Sequence, residues 1–196
     1  MKRRVLANRL LLIALAGAAL VCEPGWRNHP ALETGLQVSG LALLCLAAFG
    51  RAWSGLYITG NKNRALVVTG PYSLTRNPLY LFSLTGFAGA GLAFGSLAMT
   101  LLLCAAFFAT HWPAILYEEK RLASQFGRAY TDYAATVPRL LPAWRMPHTP
   151  ALVEINATLY TRALAEAASI PLVYPVARLI DWGHAQSLLP QLFRLY

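Results

Sequence analysis

LVVTGPYSLTRNPLY, residues 66–80, leads into an apolar run from Leu79 to Phe94, and a second apolar run, Leu97 to Tyr117, follows after only Gly95 and Ser96. So short a connection leaves room for nothing but a tight reversal, which predicts an antiparallel helical hairpin. At 1.5 Å per residue the two helices are roughly 24 and 32 Å long, about one bilayer crossing each. The chain therefore leaves one membrane face beside Arg76 and Asn77 and returns to that face at Glu118 and Glu119. One cation, one amide and two acids are expected together at one boundary between water and lipid.

Working outward, the composition sets the class: 57% of the 196 residues are hydrophobic and 13% charged, with a mean hydropathy of +0.45. This is the composition of an integral membrane protein. The formal charge of +9 comes from scattered cations without a nucleic-acid-binding motif, so no nucleic-acid partner is expected. Positive loops facing anionic lipid account for the excess. Cys22, Cys45 and Cys104 lie in apolar runs with no C-x-x-C spacing, and His29, His111, His148 and His184 form no ligand pattern, so no metal site is expected.

Lys2, Arg3, Arg4 and Arg9 precede an apolar stretch, and Val5 to Cys22 reads as a first helix with its amino end inside. A second span, near 35–53, ends at Arg51 and Trp53. The loop from Arg51 to Asn77 holds Arg51, Lys62, Arg64 and Arg76 and no acid, which makes it cytoplasmic by the positive-inside rule. The expected architecture is all-α: a polytopic membrane helical bundle in one domain, with about four transmembrane helices near 5–22, 35–53, 79–94 and 97–117. Both termini are then cytoplasmic.

From Glu118 to Thr136 a helix is expected, with Leu122, Phe126, Tyr130, Tyr133 and Val137 as one apolar, aromatic stripe. Such a stripe packs on its own bundle or, folded back over the loop, walls a bound adenine. Pro138 and Pro142 end it. Residues 150–196 read as amphipathic pieces, each too short or too polar to span, lying at the interface or capping the bundle.

Each polar residue has an ordinary reading when taken singly. Arg76 serves as an anchor, and the two glutamates pair with Lys120 or Arg121 along the helix. His111, seven residues before Glu118, shares its helix face; it also stands where it can satisfy carbonyls freed by Pro113. Convergence on one face favours a site.

The stretch LVVTGPYSLTRNPLY, followed after one hairpin by YEEKRLASQFGRAYTDYAATVPRLLP (residues 117–142), resembles the isoprenylcysteine carboxyl methyltransferase family, which in turn resembles phospholipid N-methyltransferases. The similarity covers roughly residues 65–142. It implies an S-adenosylmethionine-dependent enzyme that holds the donor at the cytoplasmic face through Gly70, Pro71 and Tyr72, through Arg76, Asn77, Pro78 and Tyr80, and through Glu118 and Glu119. His111, Tyr130 and Tyr133 are further candidates for binding the donor. Arg76 and Glu119 are the expected catalytic pair, the arginine orienting a carboxylate acceptor or the glutamate serving as base for an amine. The implied acceptor is a lipophilic or prenylated molecule reaching the site from the lipid. The family commonly has His where this chain has Asn77, and an amide carries no proton for acid–base work. The competing readings are a sterol-reductase-like, NADPH-dependent membrane enzyme and a non-enzymatic bundle.

Overall fold

The computed structural model describes residues 22–26, 28–59, 65–190 and 193–195. The helix expected near 5–22 lies almost wholly outside the described residues, as do Lys62 and Arg64. Among the described residues the regular structure is helical except for one parallel pairing of three-residue strands, β1 (Cys22–Pro24) with β2 (Phe193–Leu195). In chain order the helices are α1 (Pro30–Ile58), α2 (Pro78–Ala93), α3 (Leu97–Phe126), α4 (Arg128–Thr136), α5 (Ala157–Ala168) and α6 (Val173–Ala185).

Local chemistry explains most of the boundaries. Proline opens both α1 and α2, where its missing N–H and fixed φ cost nothing. Glu33 in the first turn of α1 faces the positive end of the helix dipole. Ser96 caps α3, its Oγ accepting from the Met99 N–H at 3.0 Å.

Beyond Tyr117 the third helix does not stop. It runs unbroken through Pro113 and both glutamates to Phe126, so Glu118 and Glu119 are presented on a rigid rod. The helix expected over 118–136 is instead divided at Gly127, whose φ of +54° turns the chain before α4.

Three stretches are long and apolar enough to cross a membrane: Pro30–Ile58, Leu97–Phe126 and Ala157–Ala185; the apolar Pro78–Ala93 is shorter. The fold is that of a helical membrane bundle. The last stretch differs from the expectation of separate interfacial pieces. A 3-10 turn at Ile170–Leu172 joins α5 to α6, and Pro175 falls in the first turn of α6, where a proline interrupts no hydrogen bond.

The chain forms two compact units. The first takes the described part of Met1–Cys45, Thr85–Thr110 and Pro171–Tyr196. In it Met99 and Leu103 are buried against Phe87, Ala90 and Phe94. The backbones of α1 and α2 touch at Gly40 and Gly89: a Cβ on Gly40 would stand 2.8 Å from the Gly89 carbonyl oxygen. Contact this close needs small residues on both helices. From α6, Arg178 pairs with Asp181 at 3.3 Å and donates to the Ala93 carbonyl at the end of α2. The second unit, Leu46–Leu84 with His111–Ile170, contains the site.

Candidate active site

A cavity of about 410 Å³ lies within the second unit, inside the range of about 300–1,000 Å³ usual for small-molecule sites. Tyr72, Arg76, Asn77, Pro78, Tyr80, His111, Glu118, Glu119, Tyr130 and Tyr133 all line it. Gly70 and Pro71, also singled out from the sequence, do not. They form the buried 3-10 turn Gly70–Ser73 that carries Tyr72.

Glu119 sits at the centre of a polar knot. Its Oε2 pairs with Arg139 Nε at 3.0 Å and with Arg76 Nη1 at 3.7 Å. Its Oε1 accepts from Asn77 Nδ2 at 2.9 Å. The same Asn77 nitrogen donates to the Arg139 carbonyl at 3.0 Å, which also accepts from Thr75 Oγ1 at 3.1 Å. Arg139 further lies over the Trp112 ring, 5.6 Å from its centroid. Glu119 is only 8% exposed, so its charge is balanced by two guanidinium groups and an amide rather than by water.

Asn77 thus donates both amide protons in two directions from one nitrogen. A neutral imidazole has a single N–H and cannot reproduce this. Asn77→Asp would keep the shape but turn an oxygen toward the Glu119 carboxylate. Two donors are lost and two acids brought together, so the variant is expected to lose about 2 kcal/mol of stability and its activity. Thermal melting and turnover of the purified protein measure both.

Glu118, by contrast, is partly open to the cavity and, among the described residues, accepts only a long bond from the Tyr80 hydroxyl, 3.3 Å. The Tyr80 ring meets His111 edge-on, with centroids 6.0 Å apart. Tyr130 and Tyr133 of α4 stand over the opening sequence motif because the chain turns at Gly127, and Tyr133 donates to the Tyr72 carbonyl at 2.7 Å. Burial raises the hydroxyls of Tyr72, Tyr130 and Tyr133 above their ordinary range; Glu118 adds to this at Tyr72. All three remain protonated donors at neutral pH. Among the described residues the buried Tyr130 hydroxyl and Arg76 Nε make no well-formed hydrogen bond, although the Arg76 side chain lies near the Tyr130 hydroxyl.

Two functional candidates escaped the sequence. Arg51 of α1 lines the cavity and donates from Nη1 to Ser83 Oγ at 2.7 Å, a neutral partner and its only hydrogen bond among the described residues. An arginine in a span-length helix is a signal worth following, but it reads equally as a positive-inside anchor. Arg139 gave no local signal at all, because its partner is twenty positions away.

Apolar helices, two of them of membrane length, beside a half-open cavity lined by polar and apolar side chains define a membrane bundle with a site of small-molecule size. Residues 34–129 match the phospholipid methyltransferase family, and the chain belongs to that family of membrane methyltransferases. It is similar to the cobalt-zinc-cadmium resistance protein CzcN of Cupriavidus metallidurans, at 35% identity over 67% of this chain and 61% of that protein. It is similar also to the nickel-cobalt-cadmium resistance protein NccN of Alcaligenes xylosoxydans xylosoxydans, at 30% identity over 81% and 71%. Similarity to the protein-S-isoprenylcysteine O-methyltransferase of Schizosaccharomyces pombe is 29% over 54% of this chain and 49% of the enzyme. The chain therefore spans less than two thirds of the length of the first and last of these relatives. No solved structure matches it.

Proposed function

We propose that the protein is a multi-pass membrane methyltransferase that takes its methyl group from S-adenosylmethionine and gives it to a lipophilic acceptor bearing a carboxylate or an amine. The cavity would face the cytoplasm, with both termini on that side. The observation that carries the reading is one cavity of about 410 Å³ holding several aromatic faces, an acid and a cation, the last two bonded among the described residues only to neutral hydroxyls. S-adenosylmethionine supplies an electrophilic methyl on a sulfonium, together with an ammonium, a carboxylate and an adenine. These are the complements of Glu118, of Arg51 and of the rings of Tyr72, Tyr130 and Tyr133. The Tyr130 hydroxyl, which makes no well-formed hydrogen bond among the described residues, fits a site completed by a ligand.

In-line transfer of a methyl group needs proximity and alignment more than proton handling. Arg76 and Glu119 are then a positioning pair: with both Glu119 oxygens engaged, it holds Arg76 and Arg139 in place. Glu118 is left as the acid that meets ligand, and Arg51 as the group that orients an anion. Similarity to two metal-resistance proteins supports a second reading, in which the methyl transfer serves tolerance to divalent metals. Restoration of tolerance by wild type but not by a Glu118→Gln variant, in cells lacking the protein, tests that link.

The direct test is thermal melting of the detergent-extracted protein. At a hundred times its dissociation constant, S-adenosylhomocysteine should stabilise the fold by about 2.7 kcal/mol, while a nicotinamide nucleotide should do nothing. The absence of a shift with the former removes the proposal. Tyr130→Phe removes a hydroxyl without a well-formed hydrogen bond, so the ligand-free protein should melt no lower. Its affinity for S-adenosylhomocysteine should fall about tenfold, the worth of one hydrogen bond to the ligand.

A further inference from the structure

After α4 the chain runs through PRLLPAWRMPHTP, residues 138–150, without helix or strand. Its backbone is nevertheless tied down along the segment that precedes α2. The Arg76 N–H donates to the Pro138 carbonyl at 2.9 Å, the Ala143 N–H to Leu74 at 2.8 Å and the Gly70 N–H to His148 at 2.7 Å. The His148 N–H donates to Ser73 Oγ at 2.9 Å, and Arg145 Nε to the Ser73 carbonyl at 3.2 Å. The segment is a strap with its polar backbone bonded inward.

What the strap turns outward is apolar. Leu141 is 76% exposed, Met146 89%, and Trp144 fully exposed at 105%. Scattered exposed apolar residues need no explanation, but three large ones within six positions leave a concentrated apolar area in contact with water. No acid occurs between Val137 and Val153, while Arg139 and Arg145 do. A tryptophan among aliphatic side chains and cations is the composition that settles where headgroups meet acyl chains.

The position agrees with the composition. The α2 helix has 16 residues, roughly 24 Å, against a hydrocarbon slab of about 30 Å. The strap is bonded to residues 70–76, directly before that short helix, so it is held at the edge of the slab rather than out in water.

We infer that residues 141–146 form an interfacial anchor, and that its partner is the headgroup–acyl boundary of the protein's own bilayer, preferentially one containing anionic lipid. Leu141, Trp144 and Met146 enter the boundary. Arg145, whose Nη1 makes no bond among the described residues, meets a lipid phosphate. The inference is independent of which reaction the cavity performs.

The test uses the full chain in nanodiscs of phosphatidylcholine, with and without phosphatidylglycerol. The emission of Trp144 is isolated as wild type minus Trp144→Phe. It should be blue-shifted, shielded from aqueous iodide, and quenched about twofold more by lipid carrying a nitroxide near the headgroup than by one labelled deep in the acyl chain. Phosphatidylglycerol should increase the shallow quenching, and Arg145→Gln should remove that increase. Placing the probe one turn of chain away, as Leu141→Trp in the Trp144→Phe background, should reproduce the pattern and guards against a disturbed strap. Emission open to iodide and indifferent to both nitroxides, as expected if the loop stands in water or awaits a soluble protein, overturns the inference. So does deeper quenching that exceeds the shallow.

Discussion

Replacing Glu119 with glutamine is expected to lower methyl transfer by about a hundredfold or more, because Arg76, Arg139 and Asn77 all take their positions from its carboxylate. Removing one partner of a buried ion pair commonly costs about 3–5 kcal/mol, since the remaining charge is left uncompensated. Here the Arg139 side chain is 39% exposed, so water softens the loss. The expected destabilisation is about 2 kcal/mol, or roughly 4–8 °C in melting temperature for a chain of this size. The double variant Glu119→Gln, Arg139→Gln relieves the excess positive charge. It should regain part of the stability and none of the activity. Glu118→Gln should behave the opposite way, losing donor-analogue affinity while melting close to wild type, because among the described residues Glu118 accepts only the 3.3 Å bond from Tyr80. Equal melting of Glu119→Gln and wild type would show that the knot does not hold the site together.

The second large effect is expected at Gly70. Its φ is +59°, and an added Cβ would stand 2.3–2.6 Å from ring atoms of the buried Tyr57. Gly70→Ala therefore incurs a left-handed backbone strain of about 1 kcal/mol and an overpacking cost of about 1–3 kcal/mol. Circular-dichroism melting should show a fall of roughly 4–16 °C. Gly127 offers the internal control. It has φ of +54° but nothing within 4 Å of the added carbon, so Gly127→Ala should lose only the backbone part. Shortening the ring in Gly70→Ala, Tyr57→Leu should return the overpacking share alone. Because the turn at Gly70 carries Tyr72 into the cavity, loss of activity should track loss of stability in this series.

These two sites mark what could be read from the chain alone and what could not. The reversal between α2 and α3 was legible because two apolar runs separated by two residues admit no other path, and a hairpin of known lengths returns Glu119 to the level of Arg76. The standing of the tyrosines over the motif was only half legible: the spacing gave a stripe, but not the break at Gly127 that folds it over. Arg139 was illegible for a physical reason. Its partner lies on another element, and a cation in a loop beside a membrane has the same sequence appearance whether it faces lipid, water or a buried carboxylate. The continuity of Ala157–Ala185 was hidden by prolines that commonly end helices but here fall where no hydrogen bond is broken.

The bond from Arg178 to the Ala93 carbonyl joins residues 85 positions apart, and it bears on the order in which the chain is made. As the polypeptide emerges from the ribosome, α2 and its reversal into α3 are complete long before the guanidinium that closes the end of α2 has been translated. Until α6 arrives, that oxygen must rely on whatever the translocation machinery or the bilayer edge provides. The carboxyl-terminal helix is thus the element that supplies the last partner to the end of the hairpin's first arm.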